Sequence, residues 1–113
     1  MAGLFQDCIS LSSVDLSTFN TEKLRNITSL FENCNSLMSI DISNFNGSIG
    51  KIDYIFYSCS NLSYIDISGL HFIYGTYNVF DKKIPNNGII KIRTKFAELI
   101  KDQIPSKWTI VKK

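Results

Sequence analysis

The residues of this chain that could carry chemistry recur at fixed intervals. Cysteines stand at Cys8, Cys34 and Cys59, in two steps that differ by a single position. Seven residues after each comes an aspartate (Asp15, Asp41, Asp66), and two residues later a serine (Ser17, Ser43, Ser68). The single histidine, His71, lies outside this register. Zinc sites take their ligands as close pairs such as C-x₂-C, so the wide cysteine spacing supports neither a metal centre nor a redox pair. A nucleophile needs a base within hydrogen-bond reach, and His71, set between Leu70 and Phe72, has no such partner in view. Glycine-rich phosphate loops and nucleophile elbows are also missing. No catalytic, cofactor-binding or metal-binding residues are expected, and the chain does not read as an enzyme.

Cysteines repeated at this interval instead suggest an inward column about 4.8 Å apart, the spacing of neighbouring strands. They are expected to be reduced and buried, because free cysteine packs as a small apolar residue. Adjacent thiols that all point inward rarely reach the disulfide dihedral. The aspartates would form a parallel outward column. Like charges roughly 5 Å apart in water repel by about 0.8 kcal/mol per pair, so the column needs a reason. One reading has each carboxylate accepting hydrogen bonds from flanking serines (Ser13, Ser17, Ser39, Ser43, Ser68) or turn amides. The other makes the column a partner-facing acidic stripe that meets a basic ligand or a cation. Calcium fits poorly, since no D-x-D-x-D-G loop is present. Beside the column, Tyr64 replaces the serines at Ser13 and Ser39 as a large anchor, and Tyr54, Tyr57, Tyr74 and Tyr77 add amphipathic contacts elsewhere.

These residues are positioned by a repeat. Leu4–Phe19, Leu30–Phe45 and Ile55–Leu70 align without a gap as [LI]-F-x-x-C-x-x-L-x-x-[VI]-D-[LI]-S-x-[FL]. Each unit holds one strand-like piece (11–17, 37–43, 62–68). In the first, Val14 and Leu16 fall on one side and Asp15 and Ser17 on the other, since strand side chains alternate. The apolar spacing of three in Leu24, Ile27 and Leu30 predicts a helical or 3₁₀ return. The period of about 25 residues lies in the leucine-rich-repeat range. One strand and one return per unit, stacked, make a right-handed solenoid of the α/β class with parallel strands.

The L-F-x-x-C-x-S-L-x-x-x-D-[LI]-S-x-F core resembles the BspA-type leucine-rich repeats of bacterial, protozoan and mycoplasma surface proteins, over roughly residues 4–80. Such a repeat places Cys where many other leucine-rich repeats place Asn. The resemblance implies a non-catalytic interaction or adhesion module of a cell-surface or secreted protein, engaging a host or matrix protein. The contact residues it favours are Asp15, Asp41, Asp66 and Tyr64, with Ser17, Ser43 and Ser68 beside them. The alternative is a purely structural terminal piece of a longer array with no ligand of its own. Family members usually carry more units, so a truncated array is expected.

Domain organisation follows the decay of the pattern. Residues 1–80 read as about three units plus a degenerate fourth ending in Val79-Phe80, and 81–113 as a C-terminal α/β cap of the same domain. Within the cap, Ile84–Gly88 is a turn cluster and Ile89–Ile92 a strand. Thr94 is the N-cap of a helix through Phe96, Ala97, Leu99, Ile100 and Ile104, stopped by Pro105, and Trp108–Val111 is a closing strand. The first unit should leave Phe5, Cys8, Leu11, Val14 and Leu16 open on one side, inviting fraying or self-association. The net charge of +2 divides into −4 over residues 1–80 and +6 over 81–113. The basic part reads as a solvated face, not a nucleic-acid patch, having two arginines in the whole chain and no interleaved stacking motif. With 44% hydrophobic and 19% charged residues the composition is that of a folded globular domain. No membrane span and no signal peptide are read in the chain. Three sequons (Asn26-Ile27-Thr28, Asn46-Gly47-Ser48, Asn61-Leu62-Ser63) matter only on a eukaryotic secretory route.

Overall fold

A computed structural model of the protein describes residues 1–46 and 48–113. The sequon at Asn46-Gly47-Ser48 therefore falls partly outside the described residues. Among the described residues four strands form one sheet: β1 (Ser39–Asp41), β2 (Tyr64–Asp66), β3 (Ile89–Ile92) and β4 (Thr109–Lys112). Their order is β1-β2-β3-β4 and every pairing is parallel. The alternation of side chains sets the faces. Ile40, Ile65 and Ile90 share one register row and are buried. Ser39 and Asp41 of β1 are turned to solvent. Further bonds, such as Ile42 N–H to the Asp66 carbonyl and Ile67 N–H to the Lys91 carbonyl (both 2.9 Å), continue the ladder past the strand ends.

The predicted strands are longer than the observed ones, and the first does not form. Residues 11–16 are irregular. The backbone bond from this segment toward β1 is the 3.3 Å contact in which Met38 N–H donates to the Ser12 carbonyl. That bond is not continued into a ladder, so the segment stays irregular, whereas β4, also with one neighbour, pairs along four residues with β3. Leu16 also departs from expectation: it is 1% exposed and belongs to the core, while Phe5, Cys8, Leu11 and Val14 are half-buried. Its carbonyl accepts from Phe19 N–H (3.1 Å) and from Asn44 Nδ2 of the next unit (3.1 Å), which draws the residue inward.

The returns are tandem turns, a correction to the helical or 3₁₀ expectation. Amides at Leu30, Glu32 and Cys34 donate to carbonyls three residues back, at Ile27, Ser29 and Phe31. The amides between them, Ile27, Ser29, Phe31 and Asn33, donate to Lys51, Asp53, Ile55 and Tyr57 of the following unit at 2.7–3.0 Å. Residues in the left-handed region make this alternation possible: Ser29 (φ 59°) and Asn33 (φ 61°), then Tyr54 (59°) and Ser58 (63°) at the equivalent positions. A 3₁₀ segment would direct all its amides along its own axis and leave none for the next unit. Each left-handed non-glycine residue costs roughly 1–2 kcal/mol, which the inter-unit bonds must offset.

Rings and thiols fill the space behind the turns. Phe5 stacks on Phe31 (5.5 Å between centroids, 3° between planes), Phe31 on Phe56 (6.2 Å, 9°) and Phe56 on Phe80 (5.8 Å, 19°). Phe80 thus continues the series beyond the third motif, and Trp108 ends it at 6.4 Å and 48°. Trp108 also lies over Gly88, where a Cβ would come within 2.5 Å of the indole, and its Nε1 donates to the Pro85 carbonyl at 2.7 Å.

The C-terminal elements differ from expectation in detail. Helix α1 spans Thr94–Ile100 and its N-cap is Arg93, not Thr94. Thr94 Oγ1 reaches the Lys113 carbonyl (3.5 Å) and makes no cap bond. The helix buries Phe96, Ala97 and Ile100, leaves Leu99 51% exposed, and ends well before Pro105. The chain leaves the helix because Gln103 is claimed elsewhere: its Oε1 accepts from Val79 N–H and its Nε2 donates to the Thr76 carbonyl, both at 2.8 Å. Strand β4 begins at Thr109, one residue later than predicted.

Removing a ring from the middle of the stack should be far more damaging than removing it from the end. Phe31→Ala is expected to lower stability by about 3–5 kcal/mol, the range for a fully buried phenylalanine. Phe5→Ala, at a half-buried position, should lose less than half of that. Chemical denaturation of both variants measures the difference.

Candidate functional site

The outer face of the sheet is a small grid. One register row runs Ser39, Tyr64, Ile89, Thr109, and the next runs Asp41, Asp66, Lys91, Val111. Ser43 and Ser68 lie just beyond β1 and β2. The first unit adds Asp15 and Ser17, which with Asp41, Ser43 and Asn44 line a shallow hollow. The sequence-predicted residues are therefore brought together, although Asp15 lies on irregular backbone and not on a strand.

Each aspartate is bound within its own unit. Asp15 Oδ1 accepts from Ser17 N–H (2.9 Å), Asp41 Oδ1 from Ser43 N–H (2.9 Å) and Asp66 Oδ1 from Ser68 N–H (3.0 Å). Ser68 Oγ adds a 2.6 Å bond to the same Asp66 oxygen. This is the short Asp-x-Ser turn, in which a carboxylate satisfies the amide two residues on. The hydroxyl and amide of Ser17 hold the Asp15 carboxyl below its ordinary range, and those of Ser43 do the same for Asp41, helped by the charges of Lys91 and Lys113. Asp15 and Asp41 face solvent. Asp66, expected to face outward, is 4% exposed, because it sits between Asp41 and Lys91 in the same row.

Lys91 is the residue that sequence reasoning missed. It pairs in register with Asp66, and its ammonium lies 5.5 Å from the centre of the Tyr64 ring. The adjacent Tyr64 side chain, and then the nearby Asp66 and Asp41 charges, raise its pKa. The signal was present: Lys91 stands as far beyond Asp66 as Asp66 stands beyond Asp41. Ile89, 41% exposed, extends the Tyr64 row as an apolar neighbour. Beyond the row, Arg93 Nη2 contacts His71 Nε2 at 3.0 Å. Tyr54, Tyr57 and Tyr77 form a separate edge-to-face cluster on the turn side, with centroids 5.4 and 5.5 Å apart.

The cysteines are free; Cys34 and Cys59 are buried and Cys8 is half-buried. Cys34 Sγ donates to the Phe5 carbonyl and Cys59 Sγ to the Phe31 carbonyl, both at 3.1 Å, so each thiol ties its unit to the preceding one. Burial pushes the Cys34 thiol up to about 11 and the Cys59 thiol up to about 12. Among the described residues no three of His, Cys, Asp or Glu converge on a point that could hold a metal ion. No helix of the described residues is long and apolar enough to cross a membrane.

Comparison with known families gives one match: the model described as the BspA type leucine rich repeat region (6 copies) covers residues 2–100. No curated protein and no solved structure matches the chain.

Two titrations follow from this geometry. A thiol whose folded pKa is raised contributes stability below its unfolded value near 9 and loses it as pH climbs toward about 11–12. Stability should therefore fall across that alkaline window. At pH 8 a thiol reagent should modify Cys8 alone, with Cys34 and Cys59 reacting only after denaturant is added. Asp41 behaves in the opposite sense. Its depressed pKa contributes stability above the unfolded value near 3.8, lost as pH falls through the folded value. Asp41→Asn should flatten that part of the acid limb in pH-dependent denaturation.

Proposed function

The chain belongs to the BspA-type leucine-rich repeat family, and on that premise we propose that it is a non-catalytic protein-interaction module whose contact surface is the outer face of the sheet. The architecture behind this reading is a right-handed solenoid over residues 1–80, closed by a cap at 81–113 within the same domain. The module acts in adhesion at the cell surface or outside the cell, and its partner is a host or matrix protein. Asp15, Asp41, Asp66 and Tyr64 are the contact residues, with Ser17, Ser43 and Ser68 holding the carboxylates in place. The half-buried first unit offers a secondary surface for self-association.

One observation carries the reading. The row Ser39–Tyr64–Ile89 sets an aromatic ring and an exposed aliphatic side chain beside a row of charges, on a parallel sheet whose position is fixed by its neighbours. Aromatic residues on rigid elements are the usual energetic centres of protein interfaces. Support also comes from the orientation of Asp15 and Asp41, whose bound oxygens leave acceptor sites free toward solvent.

A second reading is favoured by the same bonds. Each Asp-x-Ser turn satisfies a backbone amide of its own unit, which is sufficient reason for the aspartate without a ligand. On that account the chain is a structural end piece.

Binding of the intact chain to a panel of immobilised matrix proteins distinguishes the two. Tyr64→Ala is expected to weaken binding by about 2 kcal/mol, roughly thirtyfold. Asp41→Asn should reduce the association rate and its salt dependence while changing affinity less. If both variants bind as tightly as the parent, the contact assignment falls; if the parent binds none of the panel and Asp41→Asn lowers the melting temperature, the structural reading holds.

A further inference from the structure

A cleft of about 600 Å³ opens between the last turn of the repeat and the chain that follows α1. It shares no residue with the outer face of the sheet and owes nothing to the reading above. A space of this size is large enough to admit a small molecule. The floor is apolar: Phe80, Ile84 and Ile104 line it while each showing 6–8% of its surface, and Tyr57 borders it as well.

The rim is polar and electrically balanced. Asp81 and Asp102 oppose Lys82 and Lys83, with the amides of Asn78 and Asn86 among them. A phosphate or a polyanion would meet two carboxylates there, and a cation two ammonium groups, so neither sign of charge is selected. The local backbone is also occupied. Ile84 N–H donates to the Asp81 carbonyl and Lys83 N–H to Asp81 Oδ1, so this wall is a turn closed on itself and not an extended edge.

The walls are held in advance of any ligand. Asp81 Oδ2 accepts from Ser58 Oγ at 2.9 Å, and Gln103 is clamped at both ends by Val79 and Thr76. Preorganised groups of this kind lower the entropic cost of binding. A ligand matching the site is neutral overall, presents one apolar face to the floor, and offers adjacent groups that both donate and accept to planar amides and carboxylates. A pyranose ring has that character, with its C–H face on one side and vicinal hydroxyls at its edge.

We propose that the cleft between Tyr57, Phe80 and the segment around Asp102 binds a short neutral oligosaccharide. The full chain is titrated with maltotriose, cellotriose, tri-N-acetylchitotriose, a heparin tetrasaccharide and an acidic peptide, following backbone amide shifts by NMR. At least one neutral trisaccharide should produce saturable shifts at Asn78, Asn86 and Gln103. Asn86→Ala and Asp102→Ala, both at exposed positions, should weaken it roughly 3- to 10-fold, the loss of one hydrogen bond, with an unchanged melting temperature. Tyr64→Ala, on the sheet face, should leave sugar binding intact, so failure at one surface does not decide the other. Absence of saturable shifts with every neutral sugar, shifts with the heparin fragment or peptide alone, or sugar binding indifferent to both rim variants would overturn the proposal.

Discussion

Everything in this structure depends on a shortage of backbone partners within each unit. A return of tandem turns satisfies only every second amide by itself, and a three-residue strand satisfies none. The remaining amides must be accepted by the next unit, because an unpaired buried N–H costs about as much as a lost hydrogen bond. That requirement ties Ile27, Ser29, Phe31 and Asn33 to the carbonyls of Lys51, Asp53, Ile55 and Tyr57. One unit further on it ties Ile52, Tyr54 and Phe56 to those of Gly75, Tyr77 and Val79. The phenylalanine stack, the thiol-to-carbonyl bonds and the parallel register all lie on top of this ladder. A one-residue shift in any unit would misplace all of them together.

The existence and family of the repeat were legible in the sequence because its marks are side chains that the ladder places in columns. Cys8, Cys34 and Cys59 announced the thiol column; the stacking of Phe5, Phe31 and Phe56 was not read from the pattern, although these rings recur at the same interval. The conformation of the return was not legible. An apolar spacing of three is common to a 3₁₀ segment and to successive turns, and what separates them is the sign of φ at Ser29, Asn33, Tyr54 and Ser58. Asparagine tolerates the left-handed region, but serine and tyrosine give no such signal. There the inter-unit bonds override local preference. The first strand failed for a related reason: pattern specifies which side chains alternate, while regular strand geometry also needs a continuous run of ladder bonds, and residues 11–16 make only the Ser12–Met38 one toward β1.

On the outer face the aspartate column was legible and its electrostatic environment was not. Past Leu70 the Cys and Asp-x-Ser marks disappear, so nothing in the local pattern carries the register onward. The ladder carries it regardless, and brings Lys91 beside Asp66 and the Tyr64 ring. The repulsion within the column is opposed by the positive charge of Lys91 at the next position, which lies in register with Asp66 and also acts on Asp41. Asp-x-Ser bonding within each unit supplies the rest.

The division of charge between the two parts of the chain therefore has a spatial meaning. The acidic repeat and the basic C-terminal part meet on a single sheet face, where Asp41 feels Lys91 and Lys113. Their field is not uniformly acidic; it changes sign along the row from Asp41 to Lys91. A uniformly basic partner would gain at Asp15 and Asp41 and lose at Lys91 and Lys113, so attraction at one end is cancelled at the other. A partner bearing both signs in the complementary order gains at both ends, and juxtaposed like charges disfavour the reversed order. The same constraint that assembles the units thus also sets the polarity of the surface they present, because register alone determines which charge follows which.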